Sequence, residues 1–318
     1  MTYMNRLLLL VFFIFALSSC GEEKMTSEEI SKIGITSCRT QAPFIKDLGF
    51  DMSRSGLSTT EPSVMGVVLI QYPRKSADSA DKKMYQDRSW SQYGWMGTVT
   101  SDLDGNTYTA PYPRESTSGR PLSEINKIYM VNGATGNMAV LTELPKADSA
   151  AGVYPFGVLD LYYDCHGKKL YASSVAGSTP EKEKGVIYAI DPENGAVIDK
   201  LEGHDASAVF VGGITGQKRL FFGSARSSDV YSVELTKEGK FKSDVRKEFS
   251  IEKLGETRND RARRIHSNED GNMMIFASKF DYTPGIERED DQALYRFAYN
   301  KSTKKWIVLQ GRSRRKEN

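Results

Sequence analysis

The chain has 318 residues and a formal net charge of +2 at pH 7. A balance this close to neutral argues against a generic nucleic-acid-binding protein, which carries a strongly basic surface. Hydrophobic residues make up 39% of the chain and aromatic residues 10%, which is enough for a packed core and excludes a disordered chain.

The N-terminus has the pattern of a secretory signal. Arg6 is followed by the apolar run 7–16 and then by the residues Leu17-Ser18-Ser19-Cys20. A helix that spans a bilayer needs about 20 apolar residues, and this run is shorter. Residues 1–19 are therefore predicted to be a signal peptide. The last four residues resemble a bacterial lipobox. That resemblance implies cleavage before Cys20, a diacylglycerol thioether on its sulfur and acylation of the new amine.

Residues 20–40 are polar and short of aromatic side chains, and are predicted to form a lipid-anchored tether. Glu22 and Glu23 resemble the acidic stretch that follows the lipidated cysteine in Bacteroidetes-type lipoproteins, where it is associated with export to the cell surface. The resemblance implies an outer-membrane lipoprotein that faces the periplasm or the cell surface. The alternative is an ordinary signal peptide with an incidental cysteine.

Two further cysteines, Cys38 and Cys165, follow the predicted cleavage site. An oxidising compartment permits a disulfide between them, which would pin the N-terminal segment to the body. Spacing alone does not establish proximity, so two buried or free thiols are the alternative.

From residue 41 onwards the chain consists of short runs rich in Val, Ile, Tyr and Phe, separated by Gly, Asn and Asp. A strand, a tight turn and a second strand recur four times, and the turns are marked by Gly105, Gly167, Gly216 and Gly271. Each pair is followed by a second hairpin, in residues 126–144, 185–201, 229–241 and 292–309. Gly and Asn suit these turns because they accept positive φ.

The repeating unit is therefore four antiparallel strands, which is a β-propeller blade. We predict an all-β propeller domain over 41–311 and a basic C-terminal tail over 312–318. Five blades are counted, at 41–90, 91–148, 149–204, 205–255 and 256–311, and six is the alternative. The first blade is the faintest, with candidate strands at 44–50, 56–60, 64–72 and 83–87. Helix is expected only in short pieces such as 251–254.

Residues 97–110 and 155–173 resemble the NHL and SMP-30/gluconolactonase-type propeller repeats. Residues 185–203 resemble the outer half of blades in YVTN and PQQ-type propellers. These resemblances imply a propeller and leave function open, because such folds host binding proteins, hydrolases and scaffolds alike. They also imply that ligands bind at loops around the central channel.

Two groups of residues on the predicted channel loops are candidates for ligand binding. Trp90, Tyr93 and Trp95 offer aromatic area, although they could instead wedge between blades. An arginine-rich group could form a cationic mouth for carboxylates or phosphates, with a solvated, self-paired loop as the alternative. Its members are Arg114, Arg226, Arg258, Arg261, Arg263 and Arg264.

Catalytic patterns are weak. His204-Asp205 could do acid–base work, but a structural pair is more common. No Gly-x-Ser-x-Gly elbow or His-x-x-x-His spacing is present, and Asp102 to Asn106 fits a hairpin turn better than a calcium loop. The resemblance to lactonase-type propellers implies one bound calcium ion. Asp205, Asn259 and Asp260 lie on suitable predicted loops but do not match the ligand motif of that family residue by residue.

The sequence therefore favours a non-enzymatic, lipid-anchored envelope propeller that binds a protein, peptide or glycan through its channel-face loops. We expect a monomeric body with no cofactor, no metal and no nucleic-acid partner. The alternative is a calcium-dependent hydrolase of the SMP-30/gluconolactonase type.

Overall fold

The computed structural model describes residues 25–36, 39–74, 82–113, 124–145, 156–255, 259–283 and 292–314, with side chains described as far as 311. Within these residues the strands form five antiparallel sheets, arranged as the blades of a β-propeller. The predicted fold class and the count of five blades are confirmed.

Blade 1 has three strands among the described residues, and blades 2 to 5 have four each, in sequential order across each sheet. Blade 1 consists of β1 (Ser55–Ser58), β2 (Val68–Gln71) and β3 (Lys83–Tyr85). Blade 2 consists of β4 (Met96–Ser101), β5 (Thr107–Pro111), β6 (Lys127–Val131) and β7 (Met138–Glu143). Blade 3 consists of β8 (Val158–Asp164), β9 (Lys169–Ser174), β10 (Val186–Ile190) and β11 (Val197–Glu202). Blade 4 consists of β12 (Ala206–Gly212), β13 (Arg219–Ser224), β14 (Asp229–Glu234) and β15 (Arg246–Ser250). Blade 5 consists of β16 (Asp260–Ser267), β17 (Met273–Lys279), β18 (Ala293–Asn300) and β19 (Lys305–Arg314).

The first strands of blades 2 to 5 lie innermost, and polar side chains tie them together. Asp160 in β8 accepts hydrogen bonds from Thr98 Oγ1 in β4, at 2.8 Å, and from the Val209 amide in β12, at 2.9 Å. Ser207 Oγ in β12 donates to the Ala262 carbonyl in β16, at 2.7 Å. Adjacent blades therefore share polar contacts at the channel wall.

Apolar clusters fill the spaces between successive blades, as burial of both sheet faces requires. Tyr108 and Tyr188 belong to the cluster between blades 2 and 3. Phe222 belongs to the cluster between blades 3 and 4, and Phe221 to the one between blades 4 and 5. Neighbouring residues of β13 thus point to opposite sides, following the period of two of a β-strand.

The two ends of the ring differ. We call the end that carries the connections between blades and between the second and third strands of a blade the channel face. The other end carries the hairpin turns and is called the turn face. Gly105, Gly216 and Gly271 adopt positive φ there, whereas in blade 3 the left-handed residue is Lys168 rather than Gly167. Gly167 instead allows a close approach, because a Cβ there would lie 2.5 Å from Asp164 Oδ2.

Residues 25–36 differ from the predicted polar tether. Thr26 and Glu29 form a capping box at the start of α1 (Ser27–Lys32), and Ile33 is buried between blades 3 and 4. The Gly213 amide donates to the Ile33 carbonyl, at 3.1 Å. A Cβ at Gly213 would lie 1.6 Å from the Ile30 carbonyl oxygen, so glycine is required for this docking.

The docked segment continues along the turn face. Ser267 Oγ of blade 5 donates to the Gly34 carbonyl, and the Thr40 amide donates to the Asp102 carbonyl of blade 2, at 3.1 Å. The N-terminal segment is defined here as the described residues between 25 and 50. It therefore makes hydrogen bonds to blades 2, 4 and 5, and its buried side chains also reach the clusters between blades 3 and 4 and between blades 1 and 2.

Three local expectations were wrong. Residues 44–50, predicted as a strand, contain the helix α2 (Phe44–Asp47), because Phe44 and Ile45 pack into the cluster between blades 1 and 2. A further helix, α3 (Arg88–Ser91), precedes blade 2, whereas residues 251–254 form a turn. Strand β19 continues to Arg314, three residues beyond the predicted end of the domain. No helix among the described residues is long and apolar enough to cross a membrane.

Candidate functional site

Asp205 lies at the centre of a hydrogen-bond network on the channel face. Its Oδ1 accepts from Ser178 Oγ at 2.5 Å and from the Gly185 amide at 2.7 Å. Its Oδ2 accepts from the Tyr282 hydroxyl at 2.5 Å and lies 3.4 Å from Arg226 Nε. The donors come from blades 3, 4 and 5, so the buried carboxylate joins three blades and is saturated with donors.

Tyr282 acts as a hydrogen-bond donor to Asp205 because its hydroxyl stays protonated. Burial, followed by the hydrogen bond to Asp205, raises the pKa of Tyr282 far above its usual range. The hydroxyl therefore keeps its proton at every physiological pH. Arg226 stacks over the same ring, 5.5 Å from its centroid, which adds a cation–π contact to the network.

Arg226 also ties down the loop between β9 and β10. Its two terminal nitrogens donate to the Thr179 carbonyl, at 3.1 Å and 2.9 Å, and one of them to the Pro180 carbonyl, at 3.2 Å. Its Nε lies 3.9 Å from Glu183. The guanidinium is partly exposed at the rim of the channel face.

The arginines of β16 extend this cationic rim. Arg261 donates to the Ala225 carbonyl at 3.3 Å and to Ser228 Oγ at 3.2 Å, which are neutral acceptors. Arg263 lies over the ring of Phe280, 4.8 Å from its centroid. Arg264 is exposed and exerts its charge on Asp160 of the channel wall.

An apolar cluster, which we call the plug, lies inside the rim. It consists of Tyr112, Phe156, Leu159, Val175, Ala225, Phe280 and Tyr282. Phe156 contacts Phe280 edge-on across the ring, at 5.1 Å between centroids, and Tyr112 at 5.7 Å. The channel face thus presents arginines around aromatic side chains.

His204 is half-buried beside this network without joining it. Its imidazole contacts the ring of Phe222 at 5.3 Å, and burial lowers its pKa. Within the described residues no hydrogen bond connects the imidazole with the Asp205 carboxylate, whose oxygens accept from Ser178, Gly185 and Tyr282 instead.

Asn259 and Asp260 behave differently from each other. Asn259 is exposed at the start of blade 5. Asp260 is buried and accepts a hydrogen bond of 2.6 Å from the Tyr295 hydroxyl. Like Asp205, Asp260 thus braces the first strand of its blade. No group of three potential metal-ligating His, Cys, Asp or Glu side chains occurs among the described residues.

The three aromatic residues predicted to bind ligand differ in their exposure to solvent. Trp90 is fully buried between blades 1 and 2, and its Nε1 donates to the Gly136 carbonyl at 2.7 Å. Its prediction as a ligand-binding residue was therefore wrong, because the indole fills the core. Tyr93 packs on Tyr129, at 4.4 Å between ring centroids, and is partly exposed. Trp95 is partly exposed next to Tyr112, whose amide donates to its carbonyl at 3.0 Å.

Cys20, Cys38, Arg114 and Arg258 lie outside the described residues. Cys165 is disulfide-bonded. The pairing of Cys38 with Cys165 stays a prediction.

Sequence reasoning missed Tyr282, Ser178 and Asp160. The first two lie in the long loops between second and third strands, where no periodicity indicates which side chain turns inward. Asp160 interrupts an otherwise apolar strand, and that interruption was the available signal. A β-bulge between Val158 and Asp160 turns its carboxylate to the neighbouring strands, and burial raises its pKa.

No protein-family model and no curated protein matches the chain. The chain is similar to regucalcin of Agrobacterium tumefaciens, described as a calcium-binding protein, with 13% identity and a TM-score of 0.46 over 73% of this chain and 63% of that one. It is similar to a putative 6-phosphogluconolactonase of Bacteroides uniformis, with 10% identity and a TM-score of 0.44 over 82% of each chain. Hsv2 of Kluyveromyces lactis is 13% identical, with a TM-score of 0.39 over 82% of this chain and 72% of that one. The chain thus aligns with less than two thirds of the regucalcin chain, and likenesses of this extent carry no argument about function.

Proposed function

We propose that this five-bladed propeller is a non-enzymatic binding module whose channel face takes an anionic group of a protein, peptide or glycan. The observation that carries the proposal is the state of Asp205. Its carboxylate accepts from Ser178, Gly185 and Tyr282 and lies beside Arg226, so it braces the face instead of serving as a base. A braced face suits binding, because little conformational freedom is lost when a partner docks.

The charge of the rim supports an anionic partner. Arg261 is held by two backbone carbonyls and a hydroxyl, which orient the guanidinium without neutralising it. Arg263 is held over the ring of Phe280. Guanidinium groups are suited to donating hydrogen bonds to carboxylate or phosphate oxygens, and the partly exposed rings of Tyr112 and Phe280 in the plug lie in the same region.

The binding test uses photo-crosslinking residues at two exposed positions. A crosslinker at Asp281 reports on the channel face, and one at Lys237 reports on the turn face. In envelope fractions we expect crosslinked partners from position 281 only, and their loss in the Arg261→Gln/Arg263→Gln double variant. Equal crosslinking from both positions would contradict the proposal.

The alternative function, a calcium-dependent hydrolase, would require free oxygen ligands for a calcium ion on the channel face. A calcium ion takes six to eight oxygen ligands. Two of the carboxylates considered for it, Asp205 and Asp260, already accept hydrogen bonds from Tyr282 and Tyr295. Calcium-dependent hydrolysis of lactones by the purified protein, lost on substitution of Asp205 or Asn259, would overturn the non-enzymatic proposal.

We further propose that the protein is a lipoprotein of the bacterial outer membrane, facing the periplasm or the cell surface, with a monomeric body. The lipobox-like residues before Cys20 support this. We expect the Cys20→Ala variant to leave the membrane fraction and sediment as a monomer. A variant that stays in the membrane fraction would show that another anchor exists.

A further inference from the structure

The outermost strand of blade 5 differs from the outermost strands of blades 2, 3 and 4. Strand β19 has ten residues, whereas β7 and β11 have six each and β15 has five. It pairs with β18 on one side and with no other described strand on the other side. Its outer edge therefore presents backbone N–H and C=O groups with which an added strand can pair. We call residues 305–310 the blade 5 edge.

Three neighbouring apolar side chains of the blade 5 edge are exposed to solvent. Ile307, Val308 and Leu309 are 47%, 44% and 55% exposed. Six other large apolar side chains of the described residues are exposed, and each of them stands alone in the sequence. Single exposed apolar residues are common on protein surfaces, whereas a run of three on an edge strand indicates an interaction site.

The register of β19 puts these side chains on both faces of blade 5. Val308 lies opposite Phe297, which belongs to the cluster between blades 4 and 5, so Val308 lies on the side of blade 4. Ile307 lies opposite Ala298 and belongs to the other face. Leu309 lies at a β-bulge in this pairing. A strand laid along the edge would therefore meet an apolar side chain on each face.

The outer hairpin of blade 5 carries only positive charges. Residues 293–311 contain three lysines and one arginine, and neither Asp nor Glu. The corresponding residues of blade 3, 186–202, contain four acidic residues and one lysine. Those of blade 2, 127–143, and of blade 4, 229–250, contain equal numbers of acidic and basic residues. Among these four outer hairpins a basic surface is therefore particular to blade 5.

These cations flank the apolar residues and are not neutralised. Lys301, Lys304 and Lys305 are exposed before the apolar run. Arg296 is exposed and lies opposite Gln310, directly after the run. None of the four cations forms an ion pair with a described residue. The apolar centre of the edge thus has uncompensated positive charge at both ends.

Glu248 of blade 4 also contacts this strand, without offsetting its charge. Its Oε2 accepts from Trp306 Nε1 at 2.9 Å. Its Oε1 accepts from Arg246 Nε at 2.7 Å and lies 3.9 Å from Arg219 Nε. The carboxylate is 6% exposed, so it is occupied within blade 4, and the lysines of blade 5 are left for a partner.

Charge and geometry decide between the possible occupants of the edge. A second copy of the chain would lay its own lysine-bearing edge against this one, which like charges disfavour. A bilayer that meets the turn face would meet Lys301 and Lys304 of the β18–β19 turn before the apolar residues, the reverse of the order that insertion needs. An extended peptide with acidic residues around an apolar centre matches both the cations and the apolar run.

We propose that the blade 5 edge binds an extended segment of a partner protein, with an apolar centre flanked by acidic residues, as an added β-strand. The segment pairs with the backbone of β19, and its apolar side chains pack on Ile307, Val308 and Leu309. Its carboxylates face Lys304, Lys305 and Arg296. The edge lies on the outside of the ring, so this site is separate from the channel-face function proposed above, and either can hold without the other.

Fluorescence anisotropy of the labelled peptide DEVIVED, titrated with the full-length protein, tests the proposal. We expect DEVIVED to bind at least tenfold more tightly than KKVIVKK, which has the same apolar centre and the opposite charge. A form of DEVIVED that is N-methylated at its three apolar residues keeps the charge and the apolar area but loses the backbone donors of the centre. It should also bind at least tenfold more weakly than DEVIVED, because an added strand depends on those donors.

Two double variants test the place of binding. Ile307→Ser/Leu309→Ser removes exposed apolar area from the edge and should weaken DEVIVED binding about tenfold. Val140→Ser/Val197→Ser is the matched control, because these side chains are 40% and 42% exposed on the outermost strands of blades 2 and 3. The control should bind DEVIVED like the wild type, and so should the Arg261→Gln/Arg263→Gln variant of the channel face.

The proposal is overturned if DEVIVED does not bind, if KKVIVKK or the N-methylated peptide binds equally well, or if Ile307→Ser/Leu309→Ser binds DEVIVED like the wild type. Loss of binding in Arg261→Gln/Arg263→Gln would assign the peptide to the channel face and would also overturn it. Co-sedimentation of the Cys20→Ala protein with phosphatidylglycerol vesicles, lost in Ile307→Ser/Leu309→Ser, would assign the edge to a lipid surface instead and overturn the proposal in the same way.

Discussion

The hydroxyl of Tyr282, on the loop after β17, donates a hydrogen bond of 2.5 Å to the carboxylate of Asp205, which precedes β12. This bond joins blade 5 to blade 4, and Ser178 joins blade 3 to the same carboxylate. One buried side chain thus sets the relative position of three blades at the channel face.

Substitution of Asp205 by alanine is expected to destabilise the protein strongly. The change leaves Arg226, Ser178 and Tyr282 without their shared acceptor, and breaking a buried charged pair costs about 3 to 5 kcal/mol. Tyr282→Phe removes one donor and should cost about 1 kcal/mol. Denaturant unfolding measures both. Asp104→Ala, at an exposed turn position, serves as the control and should change the free energy of unfolding by less than about 0.5 kcal/mol.

Gly105 and Gly216 both adopt a positive φ, but only Gly105 lies against the N-terminal segment. Comparing substitutions at the two positions therefore separates the cost of backbone strain from the cost of disturbing this contact. Gly105 and Gly216 have φ of +80° and +79°, so Gly→Ala at either position should cost about 1 kcal/mol from the left-handed conformation. A Cβ at Gly105 would also lie 2.7 Å from the Ala42 Cα, whereas none of the surrounding atoms lies within 4 Å at Gly216. We expect Gly105→Ala, and still more Gly105→Val, to cost at least about 2 kcal/mol. Equal melting temperatures for the two alanine variants would show that the N-terminal segment does not dock there.

The N-terminal segment is expected to contribute to stability through Ile33. This side chain is 1% exposed between blades 3 and 4, so Ile33→Ala should lower the free energy of unfolding by about 3 kcal/mol. Lys32→Ala removes only an exposed pair with Glu28 and should cost almost nothing. If the two variants unfold alike, residues 25–36 behave as the free tether that their composition suggested.

His266 is expected to make stability depend on pH. Burial, helped by the charges of Arg264 and Arg39, lowers the pKa of His266 to about 4. In the unfolded chain its pKa is about 6.5, so the unfolded state takes up the proton first as the pH falls. The stability present above pH 6.5 should therefore decline toward pH 4, by roughly 2 to 3 kcal/mol.

Urea unfolding at intervals between pH 7 and pH 4 measures this decline. His266→Gln should flatten the curve, and His166→Gln, which alters a histidine at the protein surface, should not. An unchanged slope in His266→Gln would assign the pH dependence to other groups.

The blades could be predicted because each depends on signals within a few residues, namely alternating apolar side chains and turn glycines such as Gly105 and Gly216. Asp205 and Arg226 could be placed on the channel face because they lie in loops that a propeller gathers at one end. Arg263 was expected in such a loop as well, but it lies in strand β16. The partners of Asp205 and Arg226 could not be predicted. The pairing of Tyr282 with Asp205 spans 77 residues, and no local pattern encodes it.

The same limit applies to the pairing of β10 with β11 and to the N-terminal segment. The pairing of β10 with β11 shifts at a bulge between Ala189 and Ile190, so the residue opposite Tyr188 could not be counted off from the turn. In α1 the helix has six residues and none of them is buried, which leaves too little periodicity to distinguish docking from solvation. Trp90 was wrongly predicted to bind ligand, because the sequence does not show whether an aromatic side chain in a loop faces a ligand or the core.

The docking of the N-terminal segment on the turn face determines how the propeller would be oriented relative to the membrane. Cys20 precedes Met25 by five residues, and five residues span at most about 18 Å when fully extended. With a lipid on Cys20, as proposed, the turn face must then lie close to the bilayer, and the channel face points away from it. The arginine rim is thereby turned toward the aqueous space, where large partners can approach without meeting the membrane.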